Sequence, residues 1–183
     1  VISNFIRQGW LDHWLYGGTF PFTYDDAKLR TVMGGAFNQY DGKHYGKITW
    51  SDGGQYISDN YQYYSNKAKK TDFNIYLKNT YQLTDNLSGF VDLQYRALVY
   101  KTSGIENKQN TFDVNTDYSF FNPKVGVTYS FSPTQNIYAS FSRANREPVR
   151  DDFVDAVNGA PKAETMNDVE AGWRFRRDRK SGV

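Results

Sequence analysis

The chain has 183 residues, a formal net charge of +2 and no cysteine. These exclude a disulfide scaffold, a thiolate metal centre and a nucleic-acid partner drawn in by bulk charge. Aromatic residues make up 17% of the chain, with 15 Tyr, 13 Phe and 4 Trp, at a mean hydropathy of −0.73; disordered chains lack that density of rings, which suits membrane-interface girdles or a binding β surface. No run of 18 apolar residues offers a transmembrane helix, and Val1-Ile2-Ser3-Asn4 does not open a signal peptide. The first residue is not Met and the last five, Arg-Lys-Ser-Gly-Val, read as a turn, so a piece of a longer protein is expected.

Period-2 alternation predicts seven strands. Residues 12–24 place Trp14, Tyr16, Gly18, Phe20 and Phe22 on one side, and 25–28 turn the chain. Residues 29–40 follow with Leu29, Thr31, Met33, Gly35 and Phe37, and then a polar, aromatic insert over 41–70 reads as a loop. Strand 72–83 carries Phe73, Ile75, Leu77, Tyr81 and Leu83. A turn at 84–86 leads to strand 88–102, where Val91, Leu93, Tyr95, Ala97 and Val99 stand opposite Asp92, Gln94, Arg96 and Tyr100. Loop 103–119 precedes strands 121–131 and 136–146, pinched around Ser132–Gln135; loop 147–162 precedes strand 164–176.

Short and long connections alternate, which puts all the long ones at one end of an antiparallel up-and-down sheet, and strands of about 11–15 residues exceed the mode of about 5–6 in soluble sheets. The expected fold is therefore all-β, a meander of seven long strands in a transmembrane wall. Val127, Tyr129, Phe131, Ile137, Ala139 and Phe141 are expected to face lipid and Thr128, Ser130, Ser140 and Ser142 the lumen. Tyr24, Tyr81, Phe90, Tyr129, Phe131 and Tyr138, near the short turns, are expected to form one aromatic girdle. A soluble aromatic-rich β protein, such as a lectin or adhesin, would share the alternation and stay monomeric in buffer.

The stretch NPKVGVTYSFSPTQNIYASFSRANREPVRDDFVDA, followed by PKAETMNDVEAGWRFR, resembles the barrel strands of TonB-dependent outer-membrane receptors, as does FNQYDGKHYGKITW at 37–50, which is similar to the siderophore-receptor branch. The resemblance runs from about Gln8 to Arg176. It implies a bacterial outer-membrane location, a 22-stranded barrel plugged by a separate domain, and TonB-driven import of a scarce chelate, foremost a ferric siderophore, with cobalamin or a glycan as alternatives within the family. The plug and the remaining strands are then expected outside this chain.

No nucleophile or metalloprotease signature surrounds His13 or His44, so no enzyme is expected. The richest ligand candidates lie in 41–70 and its border: Tyr40, His44, Tyr45, Trp50, Tyr56, Tyr61, Tyr63 and Tyr64, with Lys43, Lys47, Lys67, Lys69 and Lys70 nearby. Rings and cations together suit an anionic or aromatic ligand such as a ferric catecholate; the competing role is packing of a long loop. Arg143, Arg146 and Arg150 form either an anion-attracting rim or ion pairs with Glu147, Asp151 and Asp152. Asp113-Val114-Asn115-Thr116-Asp117 begins like a calcium loop, but Tyr118 and Lys124 replace the glycine and glutamate an EF-hand needs, so at most a looser loop calcium remains. The protein itself is expected to hold no cofactor.

Overall fold

A computed structural model describes residues 4–52, 58, 60–154 and 161–176. Seven strands, β1 (Phe5–Asp25), β2 (Leu29–Ser51), β3 (Tyr61–Gln82), β4 (Leu87–Ile105), β5 (Thr111–Ser132), β6 (Gln135–Arg146) and β7 (Glu164–Phe175), pair in chain order, each antiparallel to the next. One short helix, α1 (Arg150–Val154), follows β6.

The short turns are held by local bonds. The Asp26 amide donates to Leu29 O at 2.9 Å, and Leu83 N–H to Leu87 O at 2.9 Å, while Thr84 Oγ1 accepts from the Asn86 and Leu87 amides. At the opposite end the strands run much further than alternation suggests. The insert 41–70 is mostly ladder, with Asp41 opposite Lys69, Lys43 opposite Lys67 and Tyr45 opposite Ser65, which leaves only 52–60 between β2 and β3. Likewise Ser103 pairs with Asp113, and the expected loop 103–119 shrinks to 106–110. In 41–70 both faces are largely polar, so the period-2 signal fades although the ladder continues. Over 112–120 it persists, with Phe112, Val114, Tyr118 and Phe120 turned to the lumen against Asp113, Asn115, Asp117 and Ser119. The 22 residues of β3 extend about 75 Å at about 3.4 Å each, and climb about 55 Å if tilted about 40°. That is nearly twice a hydrocarbon core of about 30 Å.

Directly opposed residues in an antiparallel pair share a face. Phe37, Phe73 and Ala97 form one such row, Met33, Leu77 and Leu93 another, and Val91, Val125, Phe141 and Val169 a third. This apolar face is open: Ile75 is 47% and Val127 50% exposed, whereas Leu98 (2%) and Phe120 (6%) are buried on the other face beside Ala68, Phe112 and the polar Asn66, Asp72 and Thr102. The packed part of the molecule thus lies on the polar side of the sheet. Leaving Val, Leu or Phe in water forfeits about 1.5–3 kcal/mol each, and over the central strands that reaches tens of kcal/mol. Hydrocarbon is the environment that removes this cost, so the apolar face is the lipid face.

Two residues of the expected girdle lie elsewhere. Phe90 and Tyr138 are on the polar face, opposite Gly126 and Gly172, whose missing side chains leave room for their rings. Tyr24, Tyr81 and Tyr129 keep the lipid-face parity.

Candidate functional site

The site is built where β6 leaves the sheet. The β5–β6 ladder stops at Lys124 opposite Ser142, just before Pro123, which has no N–H to donate. Beyond it side chains replace the ladder: Asn122 Oδ1 accepts from the Asn145 backbone amide at 3.0 Å and from Asn145 Nδ2 at 2.8 Å, and Asn145 Oδ1 accepts from the Thr165 hydroxyl at 2.7 Å. Freed from β5, the chain turns over the lumenal face after Arg146.

Glu147 anchors it there. One carboxylate oxygen accepts from Lys70 Nζ at 2.5 Å and from Arg96 Nη2 at 3.1 Å, and the other from Arg96 Nη1 at 2.8 Å. Arg96 in turn grips Asp72 through Nε at 2.9 Å and Nη2 at 2.5 Å. The four side chains carry two charges of each sign, and the Asp72 and Glu147 side chains are only 7% and 15% exposed. Burial alone would raise the Glu147 carboxyl, but hydrogen bonds from Arg96 and Lys70 outweigh it and hold the group at about 2 against an ordinary 4.5.

Pro148 is buried, and α1 is capped by the Asp152 carboxylate accepting from the Val149 amide at 2.8 Å. The helix sets Phe153 against Tyr100, ring centres 6.0 Å apart, and Arg150 over the Phe112 ring at 5.3 Å. Beneath it a cavity of about 260 Å³ is lined by His44, Tyr64, Glu106, Asn107, Lys108, Arg150 and Asp151. Arg150 Nε is buried without a hydrogen-bond partner among the described residues. His44 is fixed from below: its Nε2 lies 3.1 Å from the Tyr40 hydroxyl, and Gly42, between them, leaves space for the Tyr40 ring to lie along the strand. His13 of β1 adds a ring 5.9 Å from Tyr40. The arrangement is a polar cup at the long-loop end, open to the lumen, in which Arg150 and Lys108 face Glu106 and Asp151 beside the Tyr64 and His44 rings.

Of the residues singled out in the sequence, Tyr40, His44, Tyr64 and Arg150 come together. Tyr45 does not, because strand parity sends it to the lipid-side face, where it stacks on Trp10 at 6.3 Å under Lys43 and Lys47. Trp50 pairs with Ile6 past a β-bulge and is half exposed. Tyr56 lies outside the described residues. Arg143 is exposed opposite Asn167, and Arg146 forms an exposed ion pair with Glu164 at 2.8 Å. The local pairing expected of Glu147 is replaced by the long-range bonds above. Glu106, Asn107 and Lys108 complete the cup without having stood out in the sequence. Asp113, Asn115 and Asp117 sit on strand β5, about 7 Å apart along it, rather than curled in a loop.

The sequence model described as "TonB dependent receptor-like, beta-barrel" matches residues 3–182. The chain belongs to that family. Among solved structures it is similar to the copper transporter OprC, at TM-score 0.76 and 15% identity over 94% of this chain and 29% of that one. It is also similar to the ferric-catecholate import receptor Fiu from K12 E. coli (TM-score 0.58, 15% identity, 90% of this chain and 29% of that one) and to the alcaligin outer-membrane receptor FauA from Bordetella pertussis (TM-score 0.53, 17% identity, 93% and 27%). The chain thus spans less than a third of the length of each. A comparison with curated protein sequences gives no match. The all-β meander expected from alternation is the wall of a TonB-dependent receptor barrel, and the soluble lectin or adhesin reading is set aside by the family match and the open apolar face.

Proposed function

We propose that this chain is part of an outer-membrane importer that takes up a ferric siderophore through TonB, with the plug domain and the other barrel strands supplied by the rest of the protein. The observation that carries the reading is the cup under α1, where Arg150, with a buried unpartnered Nε, sits beside His44 and Tyr64 on the lumenal face. At about 260 Å³ it is small for a whole chelate and of a size for one polar arm, which Arg150 and Lys108 would engage beside Glu106 and Asp151. A guanidinium recognises such an arm by paired hydrogen bonds, and a tyrosine ring offers a stacking face. Transport leaves the ligand chemically unchanged. Fiu is a ferric-catecholate import receptor and FauA an alcaligin receptor, which supports a chelate of that kind.

The test uses the full-length receptor. Arg150→Ala and Tyr64→Ala are each expected to weaken binding of the matching ferric siderophore about tens-fold, at about 1–3 kcal/mol per central side chain. Iron uptake should then fall in parallel and require TonB. Unchanged affinity across a panel of hydroxamate and catecholate chelates, with tight binding of cobalamin or a glycan instead, would refute the siderophore reading.

A further inference from the structure

Two charged groups of opposite sign line the cup under α1 and do not meet. Glu106, at the tip between β4 and β5, is only 5% exposed. One of its carboxylate oxygens accepts a long bond of 3.4 Å from the Asn110 amide, and it is in no ion pair among the described residues. A carboxylate buried that deeply ordinarily has a cation beside it. Arg150 lines the same cavity, is likewise in no ion pair, and its buried Nε has no acceptor among the described residues. Both are held where they are. The Glu106 amide donates to Asn110 O at 3.0 Å, Gln109 N–H donates to Glu106 O at 2.9 Å, and the Gln109 side-chain amide reaches the Tyr63 carbonyl of β3. Arg150 lies on the Phe112 ring at 5.3 Å. Lys108 and Asp151, both exposed, bring the lining to two charges of each sign.

We propose that the cup takes a zwitterionic arm: a carboxylate and an ammonium carried on one short frame, as in an α-amino acid. The arm's carboxylate accepts from Arg150 and its ammonium donates to Glu106, so each supplies the partner that the folded chain lacks. A simple anion leaves Glu106 unpaired and is repelled by it, and a simple cation meets the same difficulty at Arg150. The His44 and Tyr64 rings bound the space in which the frame sits. The inference rests on the reading of the cup as the ligand site, and adds the charge pattern of the arm that enters it.

The test measures binding to detergent-purified full-length receptor of a ferric catecholate and a ferric hydroxamate, each made with a pendant α-amino acid. Both complexes are also made with the pendant amine acetylated and with the pendant carboxylate esterified, and alanine is titrated alone. The zwitterionic form of at least one carrier is expected to bind at least about tenfold more tightly than either capped form. Arg150→Gln should weaken the forms that keep the carboxylate and should not weaken the ester. Glu106→Gln should weaken the forms that keep the amine and should not weaken the acetylated complex. The form that each variant spares reports that the receptor is folded. Equal binding of the three forms, weakened together by Arg150→Gln, overturns the zwitterion and leaves the cup as the ligand site. Equal binding that neither variant changes places the ligand elsewhere and overturns both readings. No binding of either zwitterionic complex to the wild type overturns the proposal, and the unmodified chelates then test the siderophore reading on their own. Alanine binding as tightly as the zwitterionic complexes would keep the zwitterion and assign the cup to a free amino acid, overturning the siderophore reading.

Discussion

Glu147→Gln in the full-length receptor removes the charge that ties the segment after β6 to the lumenal wall while keeping its shape. The carboxyl is held at about 2 rather than 4.5 by Arg96 and Lys70, a difference of about 3 kcal/mol between bound and released segment. Lys70 is about a third exposed, with 32% of its side chain accessible, so screening lowers the effect to about 2 kcal/mol. Arg96 keeps Asp72, which limits any wider unfolding. Hydrogen exchange in the 147–154 peptide, followed by mass spectrometry, should therefore quicken about 30-fold in the variant while exchange in β3 and β4 is unchanged. The sign with pH follows from the same numbers. A carboxyl depressed in the folded state contributes stability that is fully present above about 4.5 and is lost as pH falls toward about 2. Wild-type exchange, corrected for its intrinsic rate, should approach that of the variant in that window. Equal protection of the two proteins at pH 7 would refute the anchoring role of Glu147.

Leu98→Ala, at a lumenal position only 2% exposed, should destabilise the folded receptor by about 2–5 kcal/mol in urea-induced unfolding from lipid vesicles. Gly42→Ala would place a methyl group in the Tyr40 ring and break the Tyr40–His44 contact; chelate affinity should fall with barrel assembly intact, as read by heat-modifiable gel mobility. Val127→Arg should impair insertion by up to about 2–4 kcal/mol, depending on depth, whereas Thr128→Arg, one residue along on the lumenal face, should insert normally.

The sheet was most legible where one face meets lipid, because there hydropathy alternates in one phase along several strands. Over 112–120 it also alternates, with Phe112 and Phe120 toward the lumen. Val91 to Val99 and Val125 to Phe131 announce both strand and face. Above that band Lys67, Lys69 and Lys101 look outward and Lys70 and Tyr64 inward, and an all-polar stretch carries no parity signal. That is why His44 and Tyr45, read together as loop neighbours, part to opposite sides once the ladder runs through them. The Glu147 contacts could not be read locally either, since its partners Lys70 and Arg96 lie 77 and 51 residues away. They are set by where Pro123 ends the ladder and lets the chain turn inward. Arg150 was visible as a cation, and its place over Phe112 depends on that same turn.

The central claim is that the chain is a barrel wall with odd positions of β4 toward lipid and even positions toward the lumen. Spin labels placed one at a time at 88–99 of the full-length receptor in liposomes test it directly. Collision rates with dissolved oxygen and with a water-soluble nickel chelate should alternate with period 2, oxygen favoured at 91, 93, 95, 97 and 99 and the nickel chelate at 92, 94 and 96. Uniform collision rates with either reagent, or the opposite phase, would contradict it.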